Sequence, residues 1–442
     1  MLNIECSQQS RHEFIGLCEN GCKQAVSLPN FNDVDHEALG MKVVIIGCGV
    51  AGITAAMSIR KSMADAEISI YTDEPYLYYP RPRLYEVMSG GKRPEEIYTH
   101  PSQFYESQMI RVFLNTKVTK IDAENRRLQT KDGAEVDYDK LLLANGAYPF
   151  RPPLQGVEKK GVFTLRTIFD ALEIKEYAEK TNEVIVVGGG LLGLEFAASL
   201  RKLGKEVDVV EINSRLLPNQ LDQESAAILK DKLEALSIHP FLGIKTKEIL
   251  GKDTVSGILL DDGRVLPGSL ILIAAGIRPN TSLAAEAGIK TNRGVMIDQH
   301  LQTSDNDVYA AGDIAEFNGN VYGIIPPAIE QAKIASANIL GQNQIYKGTV
   351  HTTTLKIADI TLISMGMVNP EDRRYNEIKK TNKQEGIYKK IVLDQGKIVG
   401  AILLGDRKGS AAINRLMDQQ IDVTKYEESI LEDNFDYRKI LN

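Results

Sequence analysis

The pattern of apolar and polar positions changes abruptly at Met41. Residues 1–40 are polar and irregular, with neither a helical nor a strand period. From Met41 the chain gives an apolar strand, a glycine loop and a helix start, in the stretch KVVIIGCGVAGITAAMSIRK. The same order returns from Val184 in VIVVGGGLLGLEF. The pattern therefore predicts two strand–loop–helix units within one chain.

The two halves also end alike, the first in LLLANGAYP and the second in LILIAAGIRP. After Pro279 a strand enters the turn of VYAAGDIAEF, and IPPAIEQAK opens another helix. Strands with one or two helices follow from about residue 349. We therefore predict an α/β fold with two Rossmann-like dinucleotide-binding domains and a C-terminal α+β domain. The predicted segments are an extension of unknown role at 1–40, a discontinuous first domain at 41–150 and 280–348, a second domain at 151–279, and a C-terminal domain at 349–442.

Each glycine loop has the G-x-G-x-x-G spacing in the context that a pyrophosphate site requires. The first glycine permits a tight turn, the second lets the backbone approach the phosphates, and the third lets the helix lie close to the strand. The helix start then offers free amides to the anion. The predicted contacts are Gly47, Gly49, Val50, Ala51 and Gly52 in the first loop, and Gly188, Gly190, Leu191, Leu192 and Gly193 in the second.

Acidic residues follow both loops at the distance where a ribose is bound. Glu211 ends the strand after the second loop, and a carboxylate there accepts hydrogen bonds from a ribose 2′-hydroxyl and repels a 2′-phosphate, which favours NAD over NADP. In the first unit the candidates are Asp73 and Glu74, and the sequence leaves open which of them contacts the ribose.

The Gly312-Asp313 turn places one carboxylate where it can bind the hydroxyl groups of a flavin ribityl chain. The helix that begins near Pro327 and Ala328 directs its N-terminus toward the same place, where it would stabilise an anionic reduced ring. With two dinucleotide units upstream, this turn favours a bound flavin.

Composition narrows the function further. A net charge of −7 argues against a nucleic-acid partner, no apolar run approaches the length of a bilayer span, and the first 30 residues show no secretory signal. We expect a cytoplasmic protein without a membrane partner. Four cysteines in 442 residues do not make a disulfide framework, and the spacing of Cys6, Cys18 and Cys22 lacks the paired C-x2-C of a zinc or rubredoxin site, so we predict no metal.

Taken together, these motifs resemble the FAD-dependent pyridine nucleotide oxidoreductases from about residue 41 to the C-terminus. The stretch YLYYPRPRLYEVMSG is most similar to NADH:rubredoxin reductases and to the NADH-binding part of nitrite reductase large subunits. The resemblance implies that the first loop holds FAD and the second NADH. It also implies cofactor contacts at Arg81, Val118, Ala144, Gly146, Glu195 and Gly276.

The chain departs from the family pattern at two places. Asn145 stands where the family's A-T-G loop has threonine, which puts that side-chain contact in doubt. Disulfide reductases of the superfamily carry a cysteine pair near the flavin, whereas this chain has Tyr79, Pro80 and Arg81 there. Cys48 lies inside the first glycine loop and is interpreted as a packing residue. A basic patch for an acidic protein acceptor is expected at Arg81, Arg83, Lys92 and Arg93.

The function predicted from the sequence is an enzyme that passes electrons from NADH through FAD to a small redox protein such as rubredoxin. No side-chain nucleophile or acid is required, although Glu195 is a possible catalytic residue. One alternative is an NADH oxidase or a nitrite-reductase-type NADH/FAD component. Another is a flavin- and NAD-binding redox sensor with little turnover. The acceptor and the oligomeric state stay open.

Overall fold

The computed structural model describes residues 40–357, 360–372 and 374–441. The expectations for residues 1–39, including those for Cys6, Cys18 and Cys22, lie outside the described residues. In the described part of the chain, no helix is long and apolar enough to cross a membrane.

Helices occur in all parts of the described chain, and short 3-10 helices occupy Arg81–Arg83, Pro94–Ile97 and Thr424–Tyr426. The α-helices are α1 (Val50–Ser62), α2 (Leu84–Met88), α3 (Ser102–Ser107), α4 (Ile168–Ala178), α5 (Leu191–Lys202), α6 (Gln223–Ala235), α7 (Ser282–Glu286), α8 (Ile325–Ile339), α9 (Ser410–Asp418) and α10 (Arg438–Leu441).

The strands of the first half and of the crossover are β1 (Lys42–Ile46), β2 (Glu67–Tyr71), β3 (Ile110–Phe113), β4 (Val118–Asp122), β5 (Arg127–Thr130), β6 (Glu135–Asp137), β7 (Lys140–Leu143), β8 (Ala147–Pro149) and β9 (Val162–Phe163). Those of the second half are β10 (Glu183–Val187), β11 (Glu206–Glu211), β12 (Ile238–Leu242), β13 (Thr246–Leu250), β14 (Gly257–Leu260), β15 (Val265–Pro267), β16 (Leu270–Ile273) and β17 (Ile277–Pro279). The later strands are β18 (Val295–Ile297), β19 (Val308–Ala310), β20 (Ala315–Phe317), β21 (Thr352–Ile357), β22 (Ile360–Gly366), β23 (Asn376–Asn382), β24 (Ile387–Asp394) and β25 (Lys397–Leu404).

The first half forms a parallel sheet in the order β19-β7-β1-β2-β3. Strands β1 and β7 are apolar after their first residues, Lys42 and Lys140, because both faces of the sheet are covered. Helices α1 and α8 pack on one side, and the antiparallel sheet β4-β5-β6 lies on the other. Strand β19 comes from far along the chain, so residues near 308 complete a sheet that begins at Lys42.

The second half repeats this plan with a parallel sheet in the order β12-β11-β10-β16-β9. The antiparallel sheet β13-β14-β15 is inserted before the closing strand β16, as β4-β5-β6 is inserted before β7. The chain passes from one half to the other through β8 and returns through β17. These two strands pair in antiparallel fashion, so both crossings lie side by side.

The C-terminal sheet is antiparallel, in the order β21-β22-β25-β24-β23. One face packs on α9, and the other shares a core with the second half through side chains such as Leu355, Tyr388 and Leu404. Two polar anchors reinforce this contact. The Asp222 carboxylate, which caps α6, accepts hydrogen bonds from the Tyr388 hydroxyl at 2.5 Å and from the buried Lys390 ammonium at 3.2 Å.

Candidate functional site

The first glycine loop has room at one position and close packing at the other two. A Cβ on Gly47, where φ is +108°, would collide with the carbonyl of Ala144, and a Cβ on Gly52 would collide with the carbonyl of Gly47. A Cβ on Gly49 would meet nothing within 4 Å. The open position is the one where a phosphate must approach the backbone, so this geometry fits a pyrophosphate.

The second loop reproduces this geometry. A Cβ on Gly188 (φ +121°) would collide with the carbonyl of Ala274, one on Gly193 with the carbonyl of Gly188, and one on Gly190 with nothing. Neither α1 nor α5 has a side-chain cap or an acidic residue in its first turn. Val50, Ala51, Leu191 and Leu192 therefore begin helices whose first amides are not satisfied by a side chain and are free to bind an anion.

Glu211 ends β11 directly beside the second loop. Its Oε2 accepts a hydrogen bond from the amide of Gly189 at 2.7 Å, and its Oε1 accepts from the amide of Asn213 at 2.8 Å and the side-chain Nδ2 of Asn213 at 2.6 Å. The buried carboxylate is thus fixed against the loop that it follows. Its negative charge lies where the sequence places the adenosine ribose.

Arg215, four residues later, is the side chain that would be needed to accept a 2′-phosphate. Its Nε donates to the carbonyl of Leu221 at 3.1 Å and its Nη2 to that of Pro218 at 3.0 Å. Asn369 of the C-terminal sheet region donates to the same two carbonyls. Arg215 is therefore engaged with its own loop.

In the first unit the two acidic candidates differ in environment. Asp73 is exposed, whereas Glu74 forms a salt bridge with Arg81 at 2.5 Å and accepts a hydrogen bond from the Tyr79 hydroxyl at 2.5 Å. Arg81 also donates to the carbonyl of Arg166 at 2.7 Å. Arg81 and Glu74 thus lie together, and which acid contacts the ribose stays a prediction.

Asp313 lies beside a residue that sequence reasoning missed. Its Oδ2 accepts a hydrogen bond from Nη2 of Arg166 at 2.9 Å, and the same guanidinium nitrogen lies 3.2 Å from where a Cβ on Gly146 would be. Arg166 is brought in from the second half, directly before the cap residue Thr167 of α4. The only feature of the sequence that could have indicated Arg166 was its place immediately before the cap residue of a helix. The structure brings Gly146, Asp313 and Arg166 together.

The remaining predicted contacts surround the same region. Ala144 and Gly146 follow β7 next to Gly47, and Gly276 (φ +93°) follows β16 in the second half with nothing near its missing Cβ. Gly312 lies between Ala51 and Ala328, since a Cβ on it would be 3.0 and 3.6 Å from their Cβ atoms. Pro327 and Ala328 are buried in the first turn of α8, and Val118 is buried at the start of β4.

Asn145 contacts Asn280 through both its side chain and its backbone carbonyl. Its Nδ2 donates to the carbonyl of Asn280 at 3.2 Å, and the Nδ2 of Asn280 donates to the carbonyl of Asn145 at 2.6 Å. The two asparagines therefore join the two crossings between the halves. The buried Oδ1 of Asn145 has no hydrogen-bond partner within the part of the chain that the structure describes.

Glu195 lies in the second turn of α5, opposite α2. Burial raises the pKa of its carboxyl group to about 7. The pKa of the Tyr85 hydroxyl on α2 is raised by burial first, then by Glu86 and by Glu195. No side chain among the described residues donates a hydrogen bond to Glu195 or pairs with it. Its carboxyl group is therefore half-buried and near its titration point at neutral pH.

The expected basic patch is wrong. Glu74 pairs with Arg81, Glu86 pairs with Arg83 at 2.8 Å, and Glu96 pairs with both Lys92 at 3.7 Å and Arg93 at 3.3 Å. Three glutamates thus pair with the four cations, so much of the positive charge of the segment is neutralised. The prediction failed because it counted the cations and not the glutamates: Glu86 and Glu96 pair at i+3 and i+4 spacing, and Glu74 pairs with Arg81 from seven residues earlier.

Cys48 is the free cysteine of the described chain. Burial raises the pKa of its thiol to about 12, with Glu74 adding to the effect. A thiol with so high a pKa is not a nucleophile at neutral pH. No group of three or more His, Cys, Asp or Glu in the described ranges could hold a metal ion.

The residues present fit two dinucleotides. The open positions at Gly49 and Gly190, the uncapped starts of α1 and α5, and the unpartnered Oδ1 of Asn145 all provide space or polar atoms for a ligand. The carboxylate of Asp313 lies on the first-unit side, and that of Glu211 lies on the second.

The comparisons with known proteins agree with this geometry. Residues 41–338 match the pyridine nucleotide-disulphide oxidoreductase family, and residues 352–421 match the rubredoxin NAD+ reductase C-terminal domain. The chain is 36% identical to a nitrite reductase [NAD(P)H] of Bacillus subtilis over 87% of its own length, and it spans 48% of that relative. It is thus about half as long as the curated nitrite reductase relatives that it matches.

Two relatives of similar length extend the comparison. The chain is 29% identical to the NADH-rubredoxin oxidoreductase of Clostridium acetobutylicum, over 85% of this chain and 94% of that protein. A ferredoxin reductase from Rhodopseudomonas palustris superposes with a TM-score of 0.82 at 28% identity, covering 90% of this chain and 99% of that one. The predicted α/β fold with two dinucleotide-binding domains and a C-terminal domain is confirmed, as are the cofactors FAD and NADH that the family uses. The chain is a member of the pyridine nucleotide-disulphide oxidoreductase family, and it carries a C-terminal domain of the rubredoxin reductase type.

Proposed function

We propose that this chain is an NADH-dependent FAD oxidoreductase that passes electrons to a small redox protein such as rubredoxin. The observation that carries the proposal is the duplicated loop: both halves leave their second glycine open and pack the other two against backbone. One chain with two such loops can hold two dinucleotides at once, which is the requirement for transfer between them. The C-terminal match to rubredoxin NAD+ reductases supports the acceptor class.

The first unit is assigned to FAD. Gly47, Gly49 and Gly52, with the start of α1, would hold the pyrophosphate, and Asp73 or Glu74 would hold the adenosine ribose. Asp313 would bind the ribityl chain once Arg166 turns from its carboxylate to the ligand. The N-terminus of α8 at Pro327 and Ala328 would face the ring and favour negative charge on it. The assignments of Arg81, Val118, Ala144 and Gly146 as FAD contacts rest on the family resemblance.

The second unit is assigned to NADH. Gly188, Gly190 and Gly193 would hold the pyrophosphate, and Glu211 would accept hydrogen bonds from the ribose hydroxyls while repelling a 2′-phosphate. Glu195, Leu191 and Leu192 lie at the start of α5, where it faces the first unit, and Gly276 lies at the end of β16. We assign Glu195 to the junction between the two ligands.

Bound FAD supplies the conversion from two-electron to one-electron transfer that such a reaction requires. The protein's own part is positional. The paired crossings β8 and β17, joined by Asn145 and Asn280, set the spacing of the two halves. The fixed carboxylate of Glu211 would select the nucleotide, and the paired crossings would hold the two ligands in a reactive orientation.

The test is an anaerobic titration of the purified yellow protein with NADH, followed by addition of an acceptor. Bleaching of the flavin band by one equivalent of NADH, and its recovery when oxidised rubredoxin is added, are expected. Acid precipitation should release FAD to the supernatant. Release of FMN, or failure of NADH to bleach the flavin, would contradict the assignment.

An NADH oxidase, or an NADH/FAD input component for nitrite reduction, is the second candidate. The 36% identity to the nitrite reductase of Bacillus subtilis favours the latter. Reoxidation by oxygen alone at the rate seen with rubredoxin would support the oxidase. Reoxidation by nitrite only after addition of a separate nitrite-reducing protein would support the input component. A redox sensor would show slow flavin reduction by NADH.

The domain boundaries given above and a cytoplasmic location stay predictions.

A further inference from the structure

Gly312 is held by a side chain of α8. The backbone amide of Gly312 donates a hydrogen bond to Oε1 of Gln331 at 2.8 Å. Gln331 lies on α8 and is 1% exposed. The backbone carbonyl of Gly312 is also engaged, since it accepts a hydrogen bond from the amide of Ala315 at 3.0 Å. The turn that presents Asp313 is therefore fixed on both sides.

Gln331 is linked to three further side chains by successive hydrogen bonds. Nε2 of Gln331 lies 3.4 Å from the hydroxyl of Tyr346, which is 2.7 Å from Oγ1 of Thr349. Thr349 in turn donates to Oε2 of Glu330 at 2.6 Å. Tyr346 and Thr349 belong to the connector between α8 and β21, which leads to the C-terminal sheet.

The direction of every bond in this chain is determined. The amide of Gly312 can only donate, so Gln331 must turn its oxygen to Gly312 and its nitrogen to Tyr346. The carboxylate of Glu330 can only accept a hydrogen bond, so the Thr349 hydroxyl donates to it and accepts a hydrogen bond from the Tyr346 hydroxyl. All donors therefore point from Gly312 toward the anionic Glu330, and bonds aligned in this way strengthen one another.

We propose that Gln331 is the positioning residue for Asp313, and that through Tyr346 and Thr349 it couples the flavin site to the connector of the C-terminal sheet. The inference rests on the proposed assignment of Asp313 to FAD. Gly312 is also closely packed between α1 and α8, since a Cβ on it would be 3.0 Å from the Cβ of Ala51. Without the acceptor on Gln331, a buried amide would lose its partner and the turn would shift.

The experiment measures the dissociation constant of FAD from the holoprotein, by flavin fluorescence on dilution, in matched variants. Gln331→Leu should weaken FAD binding about 10-fold. Gln331→Glu should bind within about 3-fold of wild type at pH 6, because a neutral carboxyl group can accept from Gly312 and donate to Tyr346. Tyr346→Phe, which breaks only the outer part of the chain, should weaken binding by about 3-fold.

Ser336→Ala is the control, because Ser336 is equally buried on α8 but donates to the carbonyls of Ala332 and Ala55 and has no link to Gly312. It should lower the thermal midpoint as Gln331→Leu does, with FAD affinity within 2-fold of wild type. Equal FAD affinity for Gln331→Leu and Ser336→Ala would overturn the positioning role.

The variant Asp313→Asn tests the assignment of Asp313 to FAD separately from the positioning role of Gln331. If this variant binds FAD as tightly as wild type, the assignment of Asp313 fails, and the inference fails with it. If Asp313→Asn weakens FAD binding and Gln331→Leu does not, the role of Gln331 alone is wrong. If Gln331→Leu yields no folded protein, Tyr346→Phe decides, and an unchanged affinity there overturns the coupling to the connector.

Discussion

Glu211 and Gly189 are joined by a hydrogen bond of 2.7 Å from the glycine amide to the Oε2 carboxylate oxygen. The bond ties the end of β11 to the glycine loop of the neighbouring strand. It holds a buried negative charge at the side of the second dinucleotide site, and the same carboxylate also accepts two hydrogen bonds from Asn213. Because the carboxylate is already fixed, it cannot turn away from a ligand that carries a 2′-phosphate.

We therefore predict that NADH is preferred over NADPH by about 10- to 150-fold in kcat/KM, equivalent to roughly 1–3 kcal/mol. Glu211→Gln should shift the NADPH/NADH ratio toward NADPH by about 10-fold, since the charge is lost. The measurement is the initial rate of flavin-dependent acceptor reduction over a range of each nucleotide. Glu206→Gln is the control, because it removes the same charge from an exposed residue at the start of β11. An unchanged ratio in Glu211→Gln would remove Glu211 from the account of specificity.

Arg215→Ala should change this ratio by less than about 3-fold. The reason is that its guanidinium donates to the carbonyls of Leu221 and Pro218 and is not directed to a phosphate. A large loss of NADPH activity in this variant would show that the arginine leaves its loop when the nucleotide binds.

The second glycine of each loop provides a matched pair of variants. Gly49 and Gly190 have φ of −88° and −80° and open space around a would-be Cβ, so alanine fits the folded protein at either position. Gly190→Ala should remain yellow and keep its thermal stability, yet bind NADH at least about 10-fold more weakly, because the methyl group occupies the place of the phosphates. Gly49→Ala should instead lose FAD.

Gly52→Ala is the contrasting variant, because its methyl group would collide with the carbonyl of Gly47. It should destabilise the fold by several kcal/mol, as overpacking against backbone does. Thermal melting and nucleotide titration separate the two kinds of defect. If Gly190→Ala and Gly52→Ala lost the same stability, the open and closed positions would be misassigned.

Glu195 should make stability depend on pH in a defined direction. Its pKa in the folded protein is raised to about 7, whereas an unfolded glutamate titrates near 4.3. Between these values the folded state binds the extra proton, so the contribution of Glu195 to the free energy of unfolding falls as pH rises from about 4 to about 7. The loss should amount to about 1–3 kcal/mol and be complete above pH 8.

Urea unfolding of wild type and Glu195→Gln at pH 5 and pH 8 tests this, because the difference between the two proteins cancels the other titrating groups. The glutamine variant should gain stability relative to wild type at the higher pH. Glu173→Gln, on the exposed side of α4, should show no such change. A pH-independent difference for Glu195→Gln would contradict the burial of the charge.

Cys48→Ser should leave NADH-driven reduction of a one-electron acceptor within about 3-fold of wild type. The thiol is un-ionised at neutral pH, and a serine hydroxyl oxygen can accept the hydrogen bond that the backbone amide of Tyr78 donates to the sulfur. The comparison variant lacks Cys6, Cys18 and Cys22, which lie outside the described residues. If that variant loses acceptor reduction while NADH still reduces the flavin, electrons do not leave the flavin directly.

The two glycine loops, the helices that follow them and the order of the two units could be predicted from local patterns in the sequence. These features depend on short-range rules: an apolar strand, a glycine that permits φ +108° at Gly47, and a helix start without a cap. The position of Glu211 after the second loop followed from the same spacing. The choice between Asp73 and Glu74 did not, because both lie in one turn.

Which distant side chains meet depends on how the folded chain packs. Arg166 reaches Asp313 from the other half of the molecule, Asn145 joins Asn280 across the crossings, and Gln331 supports Gly312 from α8. The expected basic patch was wrong for a local reason. The glutamates that neutralise the cations stand on the same segment, as in the ion pair of Arg83 with Glu86 at 2.8 Å. Hydrophobic periodicity determines which face of an element is buried, whereas polar contacts between elements depend on packing that no local pattern encodes.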